Sequence, residues 1–174
     1  MKKLAFTLAS LLFTFGISGA LLQVRAQANS ASDDKKQIED LEQRFATAFG
    51  SKDINTIMSG YAPGKGLFVF DVTPPREYVG WDAYKRDWES FFAAFQGPAS
   101  LDISQLSVTV VGTVAYSHSI QTGHLTAKDG TKTTFAVRTT DVYRKIGGKW
   151  LIVEEHNSVP VDLSTGKADL LSKP

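Results

Sequence analysis

Acidic and amide side chains stand among apolar residues in three runs of the sequence. Asp71 lies near the end of the run Leu67–Thr73 (LFVFDVT), with an apolar residue on each side. Asp141 and Asn157 lie in two later runs that are rich in Val, Thr, Tyr and Ile. An apolar pocket raises the pKa of a carboxyl group, because burial disfavours its charged form. Either these polar groups face solvent on one side of a sheet, or they line a cavity.

A predicted β-hairpin carries two of these polar groups, and the rest of the chain is organised around it. Its strands run from Phe135 to Lys145 and from Lys149 to Val159, joined by Gly147-Gly148. Glycine adopts positive φ at little cost, which a tight turn between right-twisted strands requires. Because side chains alternate across a strand, the first strand is predicted to carry one set on a single face, namely Thr139, Asp141 and Tyr143.

The same alternation assigns faces in the second strand of the hairpin. Glu155 and Asn157 are predicted to face one way. The opposite face then carries the remaining side chains, which are Trp150, Ile152, His156 and Ser158. A β-bulge would exchange these assignments, because one extra residue reverses the alternation beyond it.

Patterns elsewhere in the chain predict an α+β fold. Apolar residues recur at helical spacing over Asp33–Phe49, Asp53 caps a shorter helix that reaches Tyr61, and an aromatic stripe marks a third helix over Trp81–Phe95. Three helices packed on a strongly curved antiparallel sheet fit this order of elements. Besides the hairpin, the predicted strands are Leu67–Thr73, Leu101–Val111 and Thr113–Leu125.

Residues 1–28 are predicted to be a signal peptide, and residues 29–174 a single domain. Lys2 and Lys3 precede an apolar run over Leu4–Leu22, and Ala26-Gln27-Ala28 fits a small-x-small cleavage site. The alternative is an uncleaved N-terminal anchor, since the apolar run is near spanning length. The remaining chain is long enough for one hydrophobic core and too short for two.

The charge and the cysteine content limit the classes of binding partner and the cellular compartment that we expect. Cleavage after Ala28 removes Lys2, Lys3 and Arg25 and no acidic residue, so no basic field remains to attract nucleic acid or an anionic membrane. The absence of cysteine excludes disulfides, thiolate metal sites and cysteine nucleophiles. An exported protein without disulfides suits a bacterial periplasm, so we expect a periplasmic or secreted protein.

Two segments of the chain resemble the nuclear transport factor 2-like superfamily, which includes ketosteroid isomerases and SnoaL-like polyketide cyclases. The first is Asp53–Tyr61 (DINTIMSGY) followed by Phe70-Asp71, and the second is Thr140–Pro160 (TDVYRKIGGKWLIVEEHNSVP). The second segment, with Ala115-Tyr116, is also similar to the association domain of calcium/calmodulin-dependent kinase II. The resemblance implies a cone-shaped fold that encloses a pocket, and commonly a homodimer formed through the back of the sheet.

The resemblance to ketosteroid isomerases implies roles for two acids. Asp71 matches the strand-end carboxylate that acts as the base, and Asp141 matches a second, protonated carboxyl in the oxyanion hole. The chain departs from those enzymes at Phe45, where they carry a tyrosine that donates a hydrogen bond. Half of the oxyanion stabilisation is then missing unless another tyrosine supplies it, the candidates being Tyr61, Tyr116 and Tyr143.

The kinase association domain lines its pocket with arginines, and this chain has lost them. The matching positions hold His118, Asp141 and Asn157. A pocket without those positive charges is expected to repel anions and to take a small neutral or cationic ligand with an apolar body. Tyr61 and Trp88 are expected as pocket walls, and His156 is either a ligand contact or a structural histidine near a strand end.

The sequence leaves two functions open and predicts no cofactor. The first is an exported enzyme that transfers protons on a small, largely apolar ligand, as isomerases, cyclases and dehydratases do. The second is a non-enzymatic ligand-binding or oligomerisation module, which the phenylalanine on the first helix favours. No metal site is predicted, because paired-ligand spacing is absent among the candidate ligands, which are His118, His124, Glu154, Glu155 and His156.

Overall fold

The computed structural model describes residues 13–172, with side chains from residue 30 onward. Over this range the chain forms three α-helices and eight strands. The helices are α1 (Phe13–Ser51), α2 (Ile54–Ser59) and α3 (Trp81–Ala94). The strands are β1 (Phe68–Phe70), β2 (Tyr78–Val79), β3 (Ala99–Val111), β4 (Val114–Thr126), β5 (Lys132–Ile146), β6 (Lys149–Ser158), β7 (Val161–Asp162) and β8 (Lys167–Ala168).

The first six strands form one curved sheet in the order β2-β1-β6-β5-β4-β3. All neighbours are antiparallel except β1 and β6, which run parallel. The central hairpin of β5 and β6 turns at Gly147 and Gly148, whose φ angles of 57° and 81° lie in the region that glycine favours. The predicted hairpin and the predicted α+β fold are both confirmed.

The helix α1 buries the face that its spacing predicts but begins earlier than Asp33. Its apolar side chains from Ile38 to Phe49 are buried against the sheet and α2. The helix extends back to Phe13, and its residues 20–32 contain neither glycine nor proline, the two residue types that most disfavour a helix interior. Asp53 caps α2 as predicted, since its Oδ1 accepts a hydrogen bond from Thr56 N at 3.1 Å.

The aromatic stripe of α3 packs against α1 in the core. Trp88 stacks on Phe92 with ring centroids 5.5 Å apart. The edges of Phe45 and Phe49 meet Trp88 at centroid distances of 5.8 and 6.1 Å. Because large aromatic side chains contribute most to core packing, these contacts fix the position of α3 relative to α1.

The chain after β6 folds back as the short hairpin of β7 and β8. Asp169 N donates a hydrogen bond to Pro160 O, and Ala136 N on β5 donates one to Leu170 O, both at 2.8 Å. Leu163, at the tip, is 96% exposed. The tail is therefore held to the main sheet near Leu170, while its tip lies in solvent.

The predicted signal peptide falls partly outside the described residues. Lys2, Lys3 and the first part of the apolar run belong to residues 1–12, and the proposed cleavage site at Ala26–Ala28 falls within α1. Over the described part of the chain, no helix combines the length and apolar character needed to cross a membrane. The signal peptide remains a prediction.

Candidate functional site

A cavity of about 470 Å³ lies between α3, the C-terminal part of α1 and the inner face of the sheet. Two residues of the tail, Ala168 and Leu170, complete part of its wall. The polar lining includes Asp71, Asp87 and Glu155. The rest of the wall is mainly apolar, including Phe45, Phe49, Trp88, Phe91, Phe95, Leu101, Leu125, Phe135 and Val137. Such a hollow suits a small molecule with an apolar body.

Glu155 is the most extensively hydrogen-bonded acid of the cavity wall. Tyr61 donates its hydroxyl to Glu155 Oε2 at 2.6 Å, and Tyr84 donates to Oε1 at 2.7 Å. Asn157 Nδ2 donates to the same Oε1 at 2.8 Å, and Thr139 Oγ1 in turn donates to Asn157 Oδ1 at 2.7 Å. Burial raises the pKa of Glu155 although these hydrogen bonds favour its charged form.

A register shift in β6 is the reason that Glu155 faces inward together with Trp150 and Ile152. Val142 on β5 pairs with Glu154, but the next residue, Tyr143, pairs with Ile152, so Val153 is the extra residue of a β-bulge. Trp150, Ile152 and Glu155 are all buried. The uninterrupted alternation predicted for this strand is therefore wrong for Trp150 and Ile152.

A second group of buried polar side chains lies beneath the cavity, around Tyr143. Its hydroxyl donates to Glu42 Oε1 on α1 at 2.6 Å and lies 3.4 Å from Asp141 Oδ2. Ser117 Oγ is 2.8 Å from the same hydroxyl. Asp141 is 1% exposed, and its Oδ1 has no hydrogen-bond partner among the described residues. Asp141 is thus an inner group that does not line the cavity.

Burial and mutual repulsion set the protonation of these inner acids. Burial, opposed by the Tyr143 hydrogen bond and reinforced by the charge of Glu155, raises the pKa of Glu42 to about 7. Burial, with the charges of Glu42 and Glu155, raises the pKa of Asp141 well above its ordinary value. Like charges in a buried cluster cannot all ionise together, so the cluster holds protons at neutral pH.

Asp71 lies on the cavity wall after β1 and is half-buried. Its Oδ1 accepts a hydrogen bond from Val72 N at 2.6 Å. Burial, followed by the charge of Glu155 and a smaller effect of Asp87, raises the pKa of Asp71 to about 6. The structure therefore places this carboxyl at the cavity in a state where it can exchange a proton near neutral pH.

The two candidate histidines lie on the outer face of the sheet, which corrects the prediction that His118 lines the pocket. Ser117 pairs with Asp141 and is buried, so its neighbour His118 points outward and is exposed. His156 follows the inward Glu155 and is exposed, with its ring 5.5 Å from Phe70. Neither histidine is among the residues that line the cavity.

The structure brings together most of the other candidates. Trp88 and Asn157 line the cavity, while Tyr61 and Tyr143 are buried behind its wall. The Trp88 Nε1 atom is buried without a hydrogen-bond partner among the described residues. Tyr61 and Tyr143 already donate to Glu155 and Glu42, so neither hydroxyl is free to act as the donor that Phe45 lacks.

Sequence reasoning missed four residues around the cavity: Glu42, Tyr84, Asp87 and Glu155. Glu42 was detectable, because it lies four residues after Ile38 and three before Phe45, on the apolar face of α1. Tyr84 and Asp87 lie on α3 within or beside the aromatic stripe. The stripe predicted core packing and gave no sign of their polar role. Glu155 was predicted to share a face with Asn157, and only its partners Tyr61 and Tyr84 reveal its environment.

A second hollow, of about 380 Å³, lies between α1, α2 and the turn of the β5–β6 hairpin. It shares Phe45 with the first cavity, and its lining includes Arg44 and Lys149. None of the predicted site residues lines it. Over the described residues, no group of three or more His, Cys, Asp or Glu side chains is arranged to hold a metal ion.

The fold and the cavity together define a cone-shaped α+β domain whose hollow has apolar walls and buried acids. Residues 38–162 match the family model of the SnoaL-like domain, and the chain belongs to this family. No curated protein matches the chain.

Solved structures support this assignment. An NTF2-like protein of unknown function from Pseudomonas putida is 29% identical, with a TM-score of 0.74 over 82% of this chain and 98% of that one. A protein from Xanthomonas campestris, provisionally named a calcium/calmodulin-dependent kinase II association domain, is 23% identical, with a TM-score of 0.61 over 70% and 84% of the two chains. A protein from Novosphingobium aromaticivorans, provisionally named a scytalone dehydratase, is 16% identical, with a TM-score of 0.68 over 77% and 89%. At these identities the last two show a shared fold alone.

Proposed function

We propose that the protein binds a small, largely apolar molecule in the cavity and that Asp71 exchanges a proton with it. The position of Asp71 carries this proposal, because its half-buried carboxyl lies on the cavity wall with a pKa raised to about 6. A base whose pKa lies near the working pH is largely ionised and still able to accept a proton. Isomerisation, cyclisation and dehydration all proceed through such transfers, and one structural neighbour is provisionally named a dehydratase.

The second candidate function is ligand binding without catalysis, and a specific observation favours it. Negative charge that develops on a substrate needs a hydrogen-bond donor, and the matching position on α1 is Phe45. Asp141, the other expected donor, does not line the cavity. Tyr84 lines it but already donates its one hydroxyl hydrogen to Glu155, and Asn157 keeps a single amide hydrogen after its bond to Glu155. Trp88 Nε1 is buried without a partner among the described residues, but neither it nor Asn157 stands at the position where ketosteroid isomerases carry the tyrosine.

Deuterium exchange into 2-tetralone, a bicyclic ketone with activated α-hydrogens, separates the two functions. If Asp71 is a base, the protein accelerates exchange in D₂O, and the rate rises with pH around a midpoint near 6, where Asp71 ionises. Asp71→Asn should lower the rate at least about a hundredfold. Glu77→Gln, which changes an exposed acid of the same loop, should retain it. Binding of the ketone without accelerated exchange would favour the non-catalytic function.

Export and self-association belong to the same proposal. The pattern of residues 1–28 supports export to a bacterial periplasm or to the medium. The family resemblance supports a homodimer.

A further inference from the structure

The charge around the cavity has a single sign. Asp71, Asp87 and Glu155 line it, while the buried cluster of Glu42 and Asp141 beneath it holds protons at neutral pH and adds no positive charge. Among the described residues that line the cavity, none is a lysine, an arginine or a histidine. An anionic ligand would therefore enter a hollow with acids on several sides and no basic side chain on its described wall.

Aromatic rings form much of the wall beside these acids. Trp88 and Phe91 meet edge to face with centroids 5.7 Å apart, and Tyr84 lies 5.8 Å from Trp88. Phe135 lines the cavity from the sheet side. The faces of such rings attract cations through their quadrupoles, and most strongly where water is excluded.

The three acids that line the cavity differ in how many hydrogen bonds their carboxyl oxygens already accept. Glu155 accepts hydrogen bonds from two tyrosines and an asparagine. Asp87 Oδ1 accepts one from Tyr78 at 2.6 Å, and Asp71 Oδ1 accepts one from the backbone of Val72. Asp71 and Asp87 therefore have more acceptor capacity left for a ligand than Glu155, since a carboxylate accepts about four hydrogen bonds.

We propose that the ligand of this cavity is an organic cation: an aromatic or alicyclic amine that binds in its protonated form. Its ammonium group lies toward Asp71 and Asp87, and its apolar body packs among Trp88, Phe91 and Phe135. This inference rests on the proposed function, because it assigns a ligand class to the same cavity. It goes further in separating cations from neutral molecules of the same shape.

Three tetralin derivatives with one skeleton test the sign of the preferred charge. The probes carry an ammonium, a hydroxyl or a carboxylate at position 2, and their dissociation constants are measured by calorimetry at pH 7.5. We expect the ammonium to bind about tenfold or more tightly than the alcohol, which is the size of a charge-assisted contact in a partly dry site, and the carboxylate to bind most weakly. Added salt should reduce the advantage of the ammonium, since it screens charges at a cavity open to solvent.

The advantage of the ammonium over the alcohol should also shrink between pH 7.5 and pH 5. Asp71 gains a proton over that range, because its pKa is about 6. The groups that act on Asp71 are Glu155 from β6, Asp87 and Tyr84 from α3, and Tyr78 from β2. Since none of these groups is basic, protonation removes attraction for a cation and leaves the affinity for the alcohol nearly unchanged.

Two variants that each remove a negative charge, with one matched control, test where the ammonium group of the ligand lies. Asp71→Asn and Asp87→Asn should each lower the preference for the ammonium severalfold, while Glu89→Gln, an exposed acid on the same helix as Asp87, should keep it. Tighter or equal binding of the alcohol by the unmodified protein overturns the cation inference and leaves the proposed cavity function standing. Failure of all three probes to bind overturns both. The pH and salt series need no variant, so they remain decisive if a substitution prevents folding.

Discussion

Glu42 shows how a single acid can link the cavity to the stability of the fold. It is 2% exposed on the inner face of α1, and its partner Tyr143 reaches it from β5 with a hydrogen bond of 2.6 Å. Burial raises the pKa of Glu42 to about 7 from the ordinary 4.5. Between these two pH values the folded protein keeps a proton that the unfolded chain has lost, so the free energy of unfolding falls as the pH rises.

We expect Glu42→Gln to weaken this pH dependence. Glutamine keeps an acceptor for the Tyr143 hydroxyl but has no proton to lose, so the variant should lose about 1–3 kcal/mol less stability than the parent between pH 5 and pH 8. Urea denaturation at four pH values measures the difference. Glu39→Gln, at an acid of the same helix whose side chain is 44% exposed, is the control. Equal slopes for E42Q and the parent would show that Glu42 ionises normally in the fold.

At the residue scale, the sequence predicted the location of some acids and not their neighbours. Asp71 was recognisable from its place at the end of an apolar strand, and it does lie on the cavity wall. Asp141 was predicted to share a face with Tyr143, and both are buried on that face. Glu42 could have been recognised from its place on the apolar face of α1, but the tyrosines that bond Glu42 and Glu155 lie far away in the chain, so these contacts could not be predicted.

Among the secondary-structure elements, the pair β4 and β5 shapes the cavity through a close contact between Gly123 and Phe135. The two residues are cross-strand partners, and a Cβ atom placed on Gly123 would lie 2.3 Å from the Phe135 ring. The ring therefore lies over the glycine and lines the cavity from there. A side chain at position 123 would displace the ring, because packed interiors leave little room for an added methyl group.

We expect Gly123→Ala to lower the free energy of unfolding by about 1–3 kcal/mol, through the displaced ring of Phe135. Chemical denaturation measures this loss, and binding of an apolar probe should weaken with it. Gly66→Ala is a suitable control, since a Cβ atom there meets nothing within 4 Å and its φ is not positive. An unchanged stability for G123A would mean that the ring adjusts at no cost.

The long strands also show which element-scale features a sequence can predict. In β5 the alternation of Thr139, Asp141 and Tyr143 holds over the whole segment, so their shared face was predictable. In β6 the bulge at Val153 follows from pairing with β5, and no residue type in that part of the sequence predicts it. His118 was assigned from the positions of another family. In the structure Ala115, Ser117 and Ser119 are buried, so the alternation along β4 turns His118 outward.

On the scale of the whole molecule, the tail closes part of the cavity although the match to the SnoaL-like family ends at residue 162. Ala168 and Leu170 contribute to the wall, and a backbone hydrogen bond from Ala136 to Leu170 O holds the segment in place. Few contacts secure a short terminal segment of this kind, so it opens more easily than the sheet.

We expect a chain that ends at Asp162 to keep its secondary structure and to expose the apolar wall of the cavity. Binding of the dye ANS, which fluoresces on exposed hydrophobic surface, should rise severalfold, while circular dichroism stays nearly unchanged. Leu163→Ser, at the exposed tip of the tail, should leave dye binding as it is in the parent. Dye binding that does not change on truncation would show that the tail leaves the wall uncovered.

The placement of the three tryptophans gives the protein an optical signal of its own. Trp81 and Trp150 donate their indole hydrogens to Met58 O and to Asp34, away from the cavity, whereas Trp88 forms part of its wall. A molecule that enters the hollow changes the surroundings of Trp88 alone among the three indoles. Intrinsic emission can therefore report occupancy directly, and a chemical library can be screened against the unlabelled protein.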